Sequence, residues 1–350
     1  MIIWVDGQGL NETILSAMKK KVAVRMEYYL KRNFGSKTLA YNLLADYPTR
    51  PGKGIRPLFC LAAAASVGGD YNKAIDTATS IELLHNSFLI KDDIVDQSIY
   101  RRGDLTLNRK YGLALAANAG DAVKILAMSP LIDNLSSIGV RKSLQIIMEI
   151  QETARRSVEG QIKELTFVKD NRVDLTPEDY FNICENKTCW YTIITPCRAG
   201  IIIGLDEASP KQLDAITRYA LYTGIAFQIT DDTLNLTASQ SLYGKEIDGD
   251  ILEGKRTLML IHTLNSCEAK ERDRVQKILG KPREAKTDAD VEYVRCLLQK
   301  YKAIEYAVNN AKKFASKAGE VLLNECDWMV EKRWKNFFLE QTNYLIQRKK

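Results

Sequence analysis

Apolar positions along this chain recur every three to four residues for most of its length, and sustained period-two alternation is absent. The pattern therefore predicts helices and no strands. Breakers divide it. A proline- and glycine-bearing segment over 48–54 precedes a helix expected from about 57 to 67. Gly68-Gly69-Asp70 ends that helix and starts another, which runs to about Gln97. Helical patterning resumes over about 113–134 and 141–167. Thr176-Pro177-Glu178 supplies an N-cap and a first-turn proline for a helix to about 204, and Ser209-Pro210 opens another to about 236. Residues 239–254 are polar and glycine-bearing, an apolar helix then reaches about 264, and 286–347 reads as three amphipathic helices. No linker, repeat or low-complexity stretch divides the chain. The expectation is a single all-α domain over 1–350, with no motif in the first fifty residues.

Composition narrows the class. A hydrophobic share of 45% suffices for a sizeable core, and only 8 prolines in 350 residues suit continuous helix. The net charge of +6 is spread along the chain, which argues against nucleic acid and fits a small anionic substrate. The apolar run over 58–67 is too short to span a bilayer, and Asp6 interrupts the N-terminal Met1-Ile2-Ile3-Trp4-Val5, so neither a transmembrane segment nor a secretory signal is expected. Seven cysteines without CxxC spacing read as reduced thiols in a cytoplasmic protein, and His85 and His262 alone make a zinc site improbable.

The candidate chemistry sits in two acidic strings, each closing an apolar helix: Asp92-Asp93-Ile94-Val95-Asp96 and Asp231-Asp232-Thr233-Leu234-Asn235. Positions i and i+4 share a helix face, so Asp92 pairs with Asp96 and Asp231 with Asn235. Clustered carboxylates need a cation between them, and oxygen-only ligands suit Mg²⁺, which is usually shared between a few carboxylates and a phosphate. Two such clusters facing each other would clamp a diphosphate. Cations accompany them: Lys53 and Arg56 just before a helix start, where free amides favour phosphate, then His85, Arg101 and Arg102. In the second half come Lys187, Lys245 and Lys255. Singly, each cation is ordinarily a solvated surface group. Lys187, set among Cys184, Cys189 and Trp190, requires an anionic partner if it is buried.

Together these strings resemble the trans-isoprenyl diphosphate synthases, or polyprenyl synthetases, over about residues 50–350. The family's GGKxxRP element is similar to Pro51-Gly52-Lys53-Gly54-Ile55-Arg56-Pro57, its first aspartate-rich motif to 92–103, and its preceding histidine to His85. Glu159-Gly160-Gln161, Lys187-Thr188, Phe227-Gln228 with 229–235, and Gly244-Lys245 through Asp250 to Gly254-Lys255-Arg256-Thr257 follow in the family's order. Pro51 departs from the usual glycine, Asn235 from aspartate, and Lys91 from histidine or alanine.

The resemblance implies a helical bundle around a central apolar cavity, a homodimer, and the use of three Mg²⁺ ions with diphosphate bound. It implies that Asp92, Asp96 and Asp231 hold most of the metal, with Asp93, Asp232 and Asp250 serving through water or as secondary ligands. Arg101, Lys187, Lys245 and Lys255 would take the allylic diphosphate, and Lys53, Arg56, His85 and Arg102 the isopentenyl diphosphate. Thr188 and Gln228 would present oxygens to the allylic cation. Phe88 lies four residues before Asp92, about 6 Å down the axis, and with small Ser87 beside it would floor the channel for a C15 or C20 product. Phe88 as plain core packing is the alternative. Rival readings are a terpene cyclase of the same fold, which would lack the second diphosphate site, and a non-catalytic partner subunit, which would lose the acidic strings.

Overall fold

A computed structural model describes residues 12–237 and 247–347, and the chain is almost wholly helical there. Two compact units divide it. The first gathers the described residues up to Ala154 with Tyr191–Ala220 and Gly319–Gln341; the second gathers Arg155–Trp190, the described part of Leu221–Ala318, and the end of the chain.

The first unit is built on helices α1 (Glu12–Phe34), α2 (Leu39–Thr49), α3 (Ile55–Ser66) and α4 (Ile75–Val95). Every α3 residue from Pro57 to Ser66 is buried, because the helix is apolar all round and must be enclosed. Helix α10 (Thr195–Gly204) lies against it: a Cβ on Gly200 would collide with the Cys60 carbonyl and Ala63. Phe59, Phe337 and Phe338 close this core with ring centroids 5.6–6.1 Å apart. On α1, Leu15, Met18, Val22, Met26, Tyr29 and Leu30 form the buried stripe, so this helix of the motif-free segment is part of the core.

Two departures from the periodicity have local causes. The run expected over 113–134 breaks at Ala127 into α6 (Leu113–Leu126) and α7 (Met128–Ser137), with α5 (Leu107–Tyr111) before them. Pro130 has no amide to give the Leu126 carbonyl, and next to this gap Ser80 Oγ donates to the Ala127 carbonyl at 2.7 Å. By length and composition, residues Leu113–Ser137 are apolar enough to cross a membrane, although Ala116, Ala119, Val123, Leu126 and Leu131 are buried inside the unit. The basic loop after α4 is a two-residue hairpin, Tyr100–Arg101 against Asp104–Leu105. Arg102 (φ 52°) and Gly103 (φ 81°) both take the left-handed conformation that a tight hairpin turn requires. Four paired residues are too few to register as alternation.

The second unit contains the latter part of α8 (Val140–Lys169), α9 (Pro177–Ile183) and most of α11 (Pro210–Thr237). Thr176 and Asp179 form the capping box that opens α9. The helix expected to continue to about 204 instead widens into a π-helix over Cys184–Ile194 before α10. Pro196 cannot continue a regular ladder, and π turns absorb that interruption. The three amphipathic helices expected at the end of the chain are Asp288–Lys300, Ala303–Glu325 and Lys332–Gln347. Six of the seven thiols are buried and Cys296 is exposed, all of them free.

Candidate active site

In the first unit the site is assembled on α4. His85 and Ser87 are buried, Phe88 is half-buried, and Asp92 and Asp96 at the helix end are half-exposed. Tyr191 organises the middle of this face. Its ring stacks on His85 (5.8 Å, 19°), meets Phe88 edge-on at 5.3 Å, and lies 4.7 Å from the Arg56 guanidinium. Arg56 also donates to Thr192 Oγ1 at 3.0 Å, and its Nε is buried without a hydrogen-bond partner. Arg102 donates to the Tyr47 carbonyl (3.1 Å) and Asn86 Oδ1 (3.3 Å). Burial pulls the Arg102 pKa down; Glu82 opposes this, while Arg56, Arg101 and Arg50 add to it. The guanidiniums near Arg102 leave a local excess of positive charge, which suits an anion. Lys53 is exposed in the loop leading to α3. Lys19 of α1 packs its methylenes against Gly54, a half-buried cation the sequence motifs give no hint of.

Asp93 is fully buried and committed within the protein. Arg101 donates to it through Nε at 2.9 Å and through Nη2, and Tyr47 Oη donates at 2.5 Å. Burial opposes the charge on Arg101, but the Asp93 carboxylate outweighs it and the Arg101 pKa is raised. Burial, reinforced by Asp93, raises the Tyr47 phenol well beyond its ordinary range.

In the second unit, α8 meets the π-helix at Gly160. A Cβ there would stand 2.5 Å from the Lys187 amide nitrogen, so only glycine permits the approach. Glu164, one turn along α8, is the anionic partner of Lys187, and Thr188 beside it is buried. On α11, Asp231 is half-exposed and Asp232 is buried. Tyr180 Oη donates to Asp232 Oδ2 at 2.7 Å and Gln228 Nε2 to Oδ1 at 2.7 Å. Burial, then the charge of Asp250, pushes the Asp232 carboxyl up to about 8. Asn235 Oδ1 accepts the Asp250 amide at 3.2 Å, so the position where aspartate is usual ties the following turn to α11. Lys255 lies 3.7 Å from Asp250 and 2.5 Å from Glu253. Buried Arg256 donates to Arg172 O at 2.9 Å, Asn171 Oδ1 at 2.7 Å and the Gly254 carbonyl, and burial brings its pKa down to about 10. Lys245 lies outside the described residues. Tyr47, Tyr180, Glu164 and Tyr191 escaped sequence reasoning because their roles come from packing between segments far apart in the chain.

Among the described residues, no three acidic, histidine or cysteine side chains converge closely enough to hold an ion unaided. In the first unit the half-exposed Asp92 and Asp96, and in the second the half-exposed Asp231, nevertheless offer the hard oxygen donors that Mg²⁺ takes one or two at a time alongside phosphate oxygens.

Comparison with known proteins identifies the family. The polyprenyl synthetase family profile matches residues 37–297. A geranylgeranyl diphosphate synthase of Saccharolobus solfataricus is 32% identical over 304 residues, 86% of this chain and 87% of that one. An octaprenyl diphosphate synthase of Haemophilus influenzae is also 32% identical, over 77% and 78% of the two chains. The crystal structure of a geranylgeranyl pyrophosphate synthetase from Pyrococcus horikoshii superposes with a TM-score of 0.83 at 29% identity, covering 96% of this chain and 98% of that one. With these matches spanning the acidic strings and the cations around them, the chain belongs to the polyprenyl synthetase family of trans-prenyl diphosphate synthases.

Proposed function

We propose that this protein is a short-chain member that joins isopentenyl diphosphate head-to-tail to an allylic diphosphate and releases a C15 or C20 diphosphate. The carrying observation is the single face of α4 on which His85 and Phe88, with Arg56 of α3, share the Tyr191 ring while Asp92 and Asp96 end the same helix. That face joins an anion site, a metal-ligating end and a wall one turn below it.

Lys53, Arg56, His85 and Arg102 hold the isopentenyl diphosphate. Arg101, Lys187, Lys245 and Lys255 hold the allylic diphosphate, and Asp92, Asp96, Asp231 and Asp250 carry the magnesium. Bound there, Mg²⁺ neutralises charge that gathers on the departing diphosphate. The allylic C–O bond breaks with its electron pair leaving on diphosphate, and Thr188 and Gln228 turn oxygens toward the carbon left electron-poor. The isopentenyl double bond supplies the pair for the new C–C bond, and the adjacent proton passes to the released diphosphate. Apolar walls keep water from the cation. Phe88, braced by Tyr191, supports a short product.

A homodimer belongs to the same proposal. Ile125, Met128, Ile132, Leu135, Leu144 and Met148 are exposed, Ile125 by 72% and Met148 by 67%, and within α7 and α8 they recur at three- and four-residue spacing as outward apolar stripes. Chelation tests the metal assignment. EDTA should abolish turnover with restoration by Mg²⁺ or Mn²⁺, and Asp92→Ala or Asp231→Ala should each lower kcat by about a thousandfold, roughly 4 kcal/mol of transition-state stabilisation. Normal turnover in EDTA would contradict it.

A further inference from the structure

Consecutive residues on a helix point about 100° apart, so the two members of an Asp-Asp pair cannot both face a ligand. In each pair here the first aspartate is half-exposed and the second is buried, Asp93 at 0% and Asp232 at 9% exposure. A buried carboxylate must be met by donors. In both units one donor is a buried phenol from a helix distant in sequence: Tyr47 of α2 for Asp93 at 2.5 Å, and Tyr180 of α9 for Asp232 at 2.7 Å. The other donor is a group assigned to substrate, the Arg101 guanidinium in one unit and the Gln228 amide in the other.

We propose that Tyr47 and Tyr180 are matched positioning residues, which act through Asp93 and Asp232 to orient Arg101 and Gln228. Asp93 takes the Nε–Nη2 edge of Arg101, which leaves the Nη1 side for an oxyanion. Asp232 Oδ1 accepts from the Gln228 amide nitrogen, which turns the carbonyl oxygen of Gln228 away from the aspartate. That oxygen is the atom a developing carbocation needs. Each phenol holds its aspartate without adding a formal charge beside the metal-ligating residue next to it. The repetition in two units, on different helices and with different third members, is what a shared positioning task predicts.

The roles of Arg101 and Gln228 rest on the function proposed above, and the test separates the two. Tyr47→Phe and Tyr180→Phe each delete one hydroxyl and keep the ring. Tyr47→Phe should raise KM for the allylic diphosphate about tenfold, the scale of one hydrogen bond to a charged group, with KM for isopentenyl diphosphate unchanged. Tyr180→Phe should lower kcat about tenfold with both KM values unchanged. Mn²⁺ bound in the presence of inorganic diphosphate, counted by electron paramagnetic resonance, should stay at the wild-type number in both, but fall in Asp92→Asn. Wild-type kinetics in either phenylalanine variant would overturn the proposal, as would a lower Mn²⁺ count there. A wild-type protein that makes no prenyl product from any primer would defeat the functional reading instead.

Discussion

Tyr191 shows how much one ring can settle at the scale of a residue. It touches the side chain expected to limit the product, Phe88, and two expected to hold isopentenyl diphosphate, His85 and Arg56. Phe88 was legible from its spacing to Asp92, but its brace was not, because Tyr191 reaches it from more than a hundred positions away through the π-helix. If the paired rings stop elongation, Phe88→Ala should lengthen the product by at least one five-carbon unit. Burial at about 0.8 kcal/mol per CH₂ makes that extension favourable by several kcal/mol. Tyr191→Phe should keep the product, since every aromatic contact uses the ring, whereas Tyr191→Ala should lengthen it and raise KM for isopentenyl diphosphate. Chromatographic sizing of the dephosphorylated products reads all three. Ser87 is fully buried and its hydroxyl has no hydrogen-bond partner among the described residues, so Ser87→Phe would overpack the core by about 1–3 kcal/mol as well as narrow any channel.

Among elements, the π-helix and its seat on α8 are the most informative. Periodicity located the helices well, because each has an apolar face that repeats with the turn. It could not locate the break at Ala127 or the widening at Cys184, since those depend on where Pro130 and Pro196 interrupt the ladder and on what packs alongside. The glycine of Glu159-Gly160-Gln161 was visible as a motif, while its purpose is visible only in the packing: it admits the Lys187 backbone. Gly160→Ala should therefore cost about 1–3 kcal/mol through overpacking and displace Lys187 as well. Calorimetry should show a melting point several degrees lower, about the shift expected for that loss in a chain of this size. Kinetics should show a raised KM for the allylic diphosphate with that for isopentenyl diphosphate little changed. A variant with wild-type melting and kinetics would mean that α8 has room to move.

For the whole molecule, the order of the motifs carried the family, and composition carried the all-α class. The outward apolar stripes of α7 and α8 were not legible in the periodicity, because the face a helix leaves uncovered is decided by its neighbours. If those stripes cover one another in a homodimer, light scattering should report about twice the 39.6 kDa chain mass. Ile132→Glu with Met148→Glu should shift it toward the single-chain mass, since each would bury a charge without a partner. The central claim is the reaction itself, and one measurement reaches it most directly. Purified protein is incubated with radiolabelled isopentenyl diphosphate, Mg²⁺ and, in turn, dimethylallyl, geranyl and farnesyl diphosphates, and the hydrolysed products are sized. The account predicts labelled C15 or C20 alcohols that vanish when Mg²⁺ is chelated; label that stays in isopentenyl diphosphate with every primer, or products formed equally well in EDTA, would contradict it.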